Sequence, residues 1–267
     1  MIIPFTKAHG AGNDFLLSRA EDVSGIDLPA IARSICDRHT GIGADGWMLI
    51  DSTPADDCDS SIRLFNADGS EPELSGNGTR CAAALLVANG ARGPVLRIRT
   101  GAGVKELRLI EQHGRTCSFE MNMGVPRAAP EQIRYMLPLA RGVIEVTIVD
   151  VGNPQCVVVS DAAPADWREI GAEIERHAMF PQRSNVSFVR VINEHTIEAL
   201  FFERGVGETL SSGTGATGAA AAVLLRNLAR SPVRVITGGA DLSLRWSDSA
   251  YLTGPAQIVG AGEFYTD

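Results

Sequence analysis

The chain has 267 residues, 45% of them hydrophobic and 21% charged, which is enough for one large core or for two cores of about 130 residues each. A formal charge of -8 and a sequence pI near 5.2, without a cluster of Lys and Arg, argue against a nucleic-acid partner. No stretch approaches the roughly 18 apolar residues of a membrane helix and the N-terminus lacks a secretory signal, so we expect a cytoplasmic protein without a membrane partner.

Short runs of β-branched and aliphatic residues recur along the whole chain and predict short strands. Helical periodicity predicts helices over Leu28–Asp37, which Asp27 would cap, and over Ala165–His177. Two further helices, Gly78–Val87 and Gly215–Leu225, are rich in alanine and almost free of charge, so we expect both to be buried on all sides. The strands are predicted at Ile2–Phe5, Trp47–Ile50, Ser61–Phe65, Val95–Ile98, Val104–Leu109, Ile144–Val149, Cys156–Val159, Val186–Val191, Thr196–Phe202, Val233–Ile236 and Ala256–Val259.

These strands outnumber the helices and do not alternate with them strictly. That pattern predicts an α+β fold and lowers the weight of a doubly wound nucleotide-binding fold. The stretch Met123–Pro130 contains both proline and glycine, and we place the link between two halves of the chain there.

An internal repeat relates the two halves. A shift of 137 positions (212 minus 75) aligns Ser75 with Ser212, and eight of the 23 positions from Phe65 to Val87 are then identical. The identities concentrate where a Ser-Gly-x-Gly motif opens each alanine-rich helix. We interpret the repeat as a duplicated half with pseudo-twofold symmetry.

The repeated motif is suited to bind an anion. A helix N-terminus exposes unpaired N–H groups and carries about half a positive charge, and small residues let an anion approach it. Two such termini could clamp one carboxylate and place the hydroxyls of Ser75 and Ser212 on opposite sides of the bound molecule, as a two-base racemase or epimerase requires. Serine is also a common helix cap, which alone would explain either residue; the duplication and the polar neighbours favour a functional role.

Those polar neighbours stand at the ends of predicted strands. A turn would explain any one of them, because Asn, Asp and Gly tolerate left-handed backbone geometry. Together they predict a cage for an amino-acid substrate, in which an arginine binds a carboxylate and asparagine amides bind an ammonium or a carboxylate. The residues are Asn13, Asn66, Asn153, Asn185, Glu203 and Arg204.

Several motifs follow one another along nearly the whole chain, and none is specific alone. They lie at Lys7–Phe15, Asp37–Asp45, Phe65–Ser70, Ser75–Cys81, Gly152–Pro154, Glu203–Gly205, Gly207–Leu210, Gly213–Gly215 and Leu252–Pro255. Taken together, these motifs resemble those of the diaminopimelate epimerase family.

The resemblance implies two pseudo-symmetric lobes, each a curled, mostly antiparallel sheet around a central alanine-rich helix. The N-terminal lobe would comprise residues 1–122, completed by 255–267, and the C-terminal lobe residues 123–254. It also implies a homodimer that binds its substrate between the lobes, uses no cofactor, and interconverts LL- and meso-diaminopimelate, an amino acid with two carboxylates, for lysine and peptidoglycan synthesis.

The family's substrate contacts match positions of this sequence. The six cage residues correspond to contacts with the substrate. The helix N-termini that hold the α-carboxylate correspond to Gly76 and Asn77 in the first half and to Gly213 and Thr214 in the second.

Three positions depart from the family pattern. The family has cysteine, as acid and base, where this chain has Ser75 and Ser212, and usually histidine where it has Gln155. The pKa of a free thiol is near 8.5, and a helix N-terminus lowers this pKa further. A serine hydroxyl, in contrast, needs an adjacent base. Gln155, which we count among the substrate contacts, cannot serve as that base. The candidate catalytic residues are therefore Ser75, Ser212 and Glu203.

The five cysteines do not replace the missing thiols. They are scattered and contain no C-x-x-C pair, so we expect them to be reduced and structural, with no metal site. Cys81 and Cys156 lie near the motifs, but one falls in an apolar helix and the other in a predicted inward-facing strand position.

Three functions remain open at this point. The first is an epimerase that works with serines. The second is other proton-abstraction chemistry on the same scaffold, such as that of a dehydratase or an isomerase. The third is a non-catalytic amino-acid binder. Engineered replacement of two cysteines would explain both serines but not Gln155.

Overall fold

The computed structural model describes residues 1–53 and 57–266. It divides into two compact units, which we call unit 1 and unit 2. Unit 1 contains Met1–Met121 and the C-terminal stretch that begins at Gly254, and unit 2 contains Asn122–Thr253. Both are strand-rich, and the predicted α+β fold is confirmed. Within the described residues, no helix combines the length and apolar character that crossing a membrane requires.

Unit 1 is built on a closed sheet. Its strand order is β1-β2-β3-β4-β5-β6-β7-β16, and β1 also pairs with β16. The strands are β1 (Ile2–Gly10), β2 (Asn13–Arg19), β3 (Gly46–Asp51), β4 (Ser60–Asn66), β5 (Val95–Thr100), β6 (Gly103–His113), β7 (Thr116–Gly124) and β16 (Ala250–Tyr265).

Unit 2 has the strand order β8-β9-β10-β11-β12-β14-β15, continued by the first residues of β16, and the short β13 pairs with β12. The strands are β8 (Tyr135–Leu139), β9 (Gly142–Asp150), β10 (Pro154–Val159), β11 (Asn185–Asn193), β12 (Thr196–Glu203), β13 (Gly207–Thr209), β14 (Val233–Ile236) and β15 (Leu242–Trp246).

The two units repeat one pairing pattern. In unit 1 the successive pairs from β1 to β7 are antiparallel, parallel, antiparallel, parallel, antiparallel and antiparallel. The pairs from β9 to β15 in unit 2 show the same alternation, and the β15–β16 pair completes it. This agreement supports the duplication inferred from the sequence.

Each unit has one amphipathic helix and one largely enclosed, alanine-rich helix. The α-helices of the described residues are α1 (Leu28–Cys36), α2 (Gly76–Ala88), α3 (Trp167–Glu175) and α4 (Gly213–Leu225), and short 3-10 helices lie at Ala20–Val23 and Pro130–Gln132. In both units an amphipathic helix covers one face of the sheet and an alanine-rich helix the other. The middle strands are therefore buried on both faces: β3 reads as a nearly continuous apolar run, and the first five residues of β11 are all buried.

Packing positions the alanine-rich helices closely against the strands. A Cβ on Gly78 would lie 2.6 Å from the Met48 side chain, and a Cβ on Gly215 would lie 2.7 Å from the Phe201 ring. The outer faces are filled by α1, whose N-cap Asp27 accepts the Ala30 N–H at 3.2 Å, and by α3. Both alanine-rich helices begin two residues earlier than the sequence predicts, at Gly76 and Gly213.

Several strands were not predicted from the sequence. β7 alternates buried and half-buried residues through Cys117, Phe119 and Met121, and this alternation lacks the β-branched runs that marked the other strands. β2 begins with Asn13 and Asp14, polar residues that a turn would also explain. The remaining unpredicted strands are β8, β13 and β15.

Candidate functional site

Ser75 and Ser212 both cap a helix. Each adopts an extended backbone conformation, and each Oγ accepts a backbone N–H at 3.1 Å, from Gly78 and Gly215 respectively. The capping role considered at the sequence level is therefore present in both. It leaves each hydroxyl hydrogen available for a further partner, because a hydroxyl is one donor and a double acceptor.

The first turn of α2 is packed against a tight hairpin in unit 1. Ala11 and Gly12 link β1 to β2, and both have positive φ, 53° and 85°, as a two-residue type I′ turn requires. A Cβ on Gly10 would lie 2.9 Å from the backbone oxygen of Asn77. The hairpin therefore places Asn13, the first residue of β2, beside the helix N-terminus.

Asn13 and Asn77 belong to one hydrogen-bond network. Asn77 Nδ2 donates to Asn13 Oδ1 at 3.3 Å, and Asn13 Nδ2 donates to Asp45 Oδ2 at 2.6 Å. Arg80 Nη2 donates to Asn77 Oδ1. Asn66, at the end of β4, instead donates to Ser70 Oγ at 2.9 Å. The structure thus joins two of the predicted unit 1 contacts, Asn13 and Asn77, and holds Asn66 in a local turn.

An ion-pair cluster supports this hairpin. Asp14 contacts Lys7 Nζ at 3.0 Å and Arg38 Nη2 at 2.7 Å, and the same Arg38 nitrogen contacts Asp45 at 2.7 Å. Partial burial alone would raise the pKa of Asp14, but hydrogen bonds and charge from Arg38 and Lys7 outweigh it and hold this pKa below its ordinary value. The motifs at Lys7–Phe15 and Asp37–Asp45 owe part of their pattern to this cluster.

In unit 2 a carboxylate stands beside the capping serine. The half-buried Glu203 side chain accepts a hydrogen bond from Thr209 Oγ1 at 2.9 Å. Burial raises the pKa of Glu203, and the nearby hydroxyls of Thr209 and Ser212 offset part of that rise. Ser212 therefore lies between an N–H donor of α4 and a proton acceptor, so it has the adjacent base that a reactive hydroxyl needs.

Arg204, which follows β12, is held through its backbone. Asn185 Oδ1 accepts the Arg204 N–H at 3.0 Å, and Asn185 Nδ2 donates to the Pro154 oxygen at 3.4 Å. The Arg204 guanidinium is exposed and donates from Nη1 to the Gln182 oxygen at 2.9 Å. In this structure the Asn185 amide orients Arg204 and its strand.

Glu175, which sequence reasoning missed, fixes the same turn from the other side. Its carboxylate is buried at 2% exposure, and Oε1 accepts the Gly205 N–H and Arg183 Nη1, both at 3.2 Å. Arg176 Nε donates to Oε2 at 3.1 Å. A glutamate on the apolar stripe of α3 was the sequence signal that could have revealed it.

Gln155 and Asn153 lie against the start of α4. Gln155 Nε2 donates to Asn153 Oδ1 at 2.6 Å, and Asn153 Nδ2 donates to Thr214 Oγ1 at 3.5 Å. Gln155 is fully buried, and a Cβ on Gly218 would lie 2.7 Å from its Cγ. Its Oε1 has no hydrogen-bond partner among the described residues, so one acceptor remains unused there.

All five cysteines are buried and unpaired, as expected. Burial raises the pKa of Cys81 to about 12 and also raises the pKa of Cys156, so neither thiol ionises readily near neutral pH. The described residues contain no group of three or more His, Cys, Asp or Glu arranged to hold a metal ion.

A groove of about 960 Å³ in unit 1 lies at the other end of α2. Leu85, Leu86 and Asn89 line it together with Glu21, Asp51 and other surface residues. A helix C-terminus and carboxylates repel a negatively charged substrate, so the groove does not compete with the serine-capped N-terminus as a carboxylate site.

Comparison with known structures identifies the class of fold. The structure matches a probable proline racemase from Agrobacterium radiobacter K84 with a TM-score of 0.72, at 16% sequence identity, over 99% of this chain and 93% of that one. This protein therefore shares the fold of that structure.

Comparison of sequences identifies the family. The family model described as "Diaminopimelate epimerase" matches residues 5–128 and 147–259. The diaminopimelate epimerase of Moorella thermoacetica is 41% identical over 98% of this chain and 99% of its own length, and that of Aromatoleum aromaticum is 40% identical over the full length of both. The chain belongs to the diaminopimelate epimerase family, as its motifs predicted.

Proposed function

We propose that this protein epimerises the α-carbon of a diamino dicarboxylic acid, interconverting LL- and meso-diaminopimelate without a cofactor. Family membership and the names of its relatives support the substrate. The observation that carries the proposal of catalysis is that the Glu203 carboxylate lies close enough to the Ser212 hydroxyl, at the N-terminus of α4, for that hydroxyl to lower its pKa.

Binding would use the helix N-termini and the polar cage. The N–H groups near Gly76 and Asn77, and those near Gly213 and Thr214, suit the α-carboxylate of the substrate. The exposed guanidinium of Arg204 suits a second carboxylate, while the amides of Asn13, Asn66, Asn153 and Asn185 and the amide oxygen of Gln155 supply donors and acceptors. Together with Glu203, these residues are the proposed substrate contacts.

Proton removal would proceed through the Ser212–Glu203 pair. As the α-proton moves to Ser212 Oγ, the hydroxyl proton of Ser212 moves to the Glu203 carboxylate, which leaves a carbanion and a neutral Glu203. In a two-base reaction Ser75 then donates its hydroxyl proton to the carbanion and recovers a proton from water, and the hydroxide formed takes the proton from Glu203, so that both serines and the carboxylate return to their starting states. A helix N-terminus stabilises the negative charge that the Ser75 oxygen develops.

The two serines are not chemically equivalent, and this favours a second candidate function. The position equivalent to Glu203 in the repeat is Asn66 (203 minus 137), whose amide cannot accept a proton at neutral pH. Among the described residues no carboxylate hydrogen-bonds Ser75. The alternative is therefore exchange of the α-proton on one face of the α-carbon only, without inversion, which would suit an isomerase or a dehydratase.

One assay separates these functions. The purified protein is incubated in D2O with LL-diaminopimelate, and separately with the meso form, and the α-protons are followed by NMR. Exchange with inversion supports the epimerase. Exchange or a new product without inversion supports one-sided chemistry. Binding without exchange over a long incubation would show a non-catalytic binder and contradict both.

Cellular role and assembly follow from the same proposal. An epimerase of diaminopimelate serves lysine and peptidoglycan synthesis, and we propose a cytoplasmic homodimer. Fractionation of cells and light scattering of the purified protein test these two points, which remain predictions.

A further inference from the structure

Arg80 is a buried cation on the second turn of α2. Its side chain is 0% exposed, and Nη2 donates to Asn77 Oδ1. Nε and Nη1 have no hydrogen-bond partner, and no carboxylate pairs with the guanidinium among the described residues. Arg80 therefore keeps a full charge in the interior of unit 1 with most of its donors unused.

This arrangement is costly for a folded protein. A buried guanidinium loses its hydration and normally regains that free energy from a carboxylate and from hydrogen bonds. Burial lowers the pKa of Arg80 to about 10, which leaves it charged at neutral pH. The positive end of the α2 dipole adds to the unfavourable field, because cations are favoured at the other end of a helix.

Arg226 shows how the same residue type is stabilised in the other unit. Its side chain is 7% exposed, and its Nε and Nη1 also have no hydrogen-bond partner among the described residues, but it lies at the C-cap of α4, where a positive charge is favoured, and its Nη2 contacts Glu145 Oε1 at 2.5 Å. Arg226 thus has both a counter-charge and a favourable helix end.

The packing of the helix does not require an arginine at this point. Thr217 occupies the equivalent position of α4 (80 plus 137), is also fully buried, and donates its hydroxyl to the Gly213 oxygen at 2.8 Å. A small side chain at this position of an enclosed alanine-rich helix is therefore compatible with close packing.

We propose that Arg80 is a positioning residue for an anionic ligand at the N-terminus of α2, and that a carboxylate of the bound substrate supplies its missing counter-charge. Through Nη2 it also orients Asn77, which in turn holds Asn13. This inference rests on the proposed function, because it needs a carboxylate ligand at that N-terminus.

The test compares two arginine substitutions, Arg80→Met and Arg226→Met. We expect Arg80→Met to raise the Tm of the ligand-free protein by roughly 2–4 °C, because it removes an uncompensated buried charge. Calorimetric titration with meso-diaminopimelate should give a Kd weaker by roughly tenfold. Arg226→Met should lower Tm, because it breaks an ion pair, and should leave the Kd within about twofold of the parent value.

Arg80→Lys separates charge from shape, and we expect its Kd to be closer to that of the parent than to that of Arg80→Met. The inference is overturned if Arg80→Met lowers Tm or fails to fold, if it binds meso-diaminopimelate as tightly as the parent, or if the lysine variant binds as weakly as the methionine variant. A parent protein that does not bind meso-diaminopimelate at all would overturn the proposed function, and the inference with it.

Discussion

At the scale of single residues, the two capping serines show that identical side chains in identical local geometry need not be chemically alike. Ser75 and Ser212 make the same cap hydrogen bond at the same distance. What differs is the neighbouring side chain: the Glu203 carboxylate lies beside Ser212, and Asn66 occupies the equivalent position in unit 1. The repeat fixes the position of each hydroxyl, and this difference determines whether a proton acceptor stands next to it.

Glu203→Gln tests that difference. The amide keeps the shape of the side chain but cannot accept a proton, so we expect α-proton exchange in D2O to slow by roughly 10² to 10⁴-fold. The Kd for meso-diaminopimelate should change far less, because the substrate carboxylates are bound elsewhere. Ser212→Ala should slow exchange to a similar degree, since the pair acts as a unit. Full exchange in Glu203→Gln would exclude Glu203 as the proton acceptor.

Thiol alkylation tests whether cysteine takes part in the reaction. Because all five cysteines are buried and burial raises the pKa of Cys81 and Cys156, iodoacetamide should leave the native protein unmodified and its proton exchange intact. Mass spectrometry after treatment in urea provides the control, in which all five should react. Loss of exchange together with a mass increase in the native state would implicate a cysteine.

At the scale of secondary-structure elements, the enclosed helices are the best predicted part of the chain. Alanine content and the Ser-Gly-x-Gly motif locate α2 and α4, and the structure adds that both end alike. Gly90 and Asn227 follow the two C-caps with φ of 93° and 56°, and each N–H returns to the helix in a Schellman motif. The sequence does not reveal this similarity between the two helix ends, because glycine in one and asparagine in the other adopt the same left-handed backbone conformation.

Helix α3 holds the turn that contains Arg204 through Glu175, and substitution of Glu175 tests this contact. Glu175→Ala removes the acceptor of the Gly205 N–H and the partner of Arg183, and we expect it to lower the free energy of unfolding by about 1–3 kcal/mol and to weaken the Kd for meso-diaminopimelate. Urea titration and calorimetry measure the two effects.

Glu173→Ala is the matched control for this substitution. Glu173 lies on the same helix but accepts the Ala140 N–H at 2.5 Å, in a different loop. We expect it to leave the Kd unchanged. If the two variants weaken binding equally, the effect belongs to α3 as a whole and Glu175 has no special role.

At the scale of the whole molecule, the duplication is far more complete in strand pairing than in sequence. The order of parallel and antiparallel pairs agrees between the units, while sequence identities are concentrated around one helix in each. Pairing is set by contacts between distant strands, whereas residue identity is retained where a backbone must approach closely, as at Gly78 and Gly215. The buried charges Arg80 and Glu175 were not predicted because burial depends on that distant packing.

The same residues predict how activity and stability depend on pH. The proton acceptor must be ionised, and the pKa of Glu203 is raised above its ordinary value of 4.5, so the acid limb of exchange should lie above pH 4.5 and disappear in Glu203→Gln. Ionisation of Glu203 has the opposite effect on the stability of the folded protein. A raised native pKa gives a contribution that is fully present below the unfolded pKa and is lost as the pH rises through the native pKa. The parent should therefore lose stability relative to Glu203→Gln over that interval, as measured by urea unfolding.

Asp14 provides the opposite case in the same experiment. Its native pKa is lowered by Arg38 and Lys7, so its contribution is present above the ordinary value of 3.8 and is lost as the pH falls through the lower native value. Asp14→Asn should therefore be less stable than the parent at neutral pH and approach it in acid. Since exchange needs an ionised Glu203, the protein should be most active on the side of the Glu203 titration where that residue destabilises the fold. If the activity of the parent and its stability relative to Glu203→Gln both rise with pH across this interval, Glu203 is not the proton acceptor.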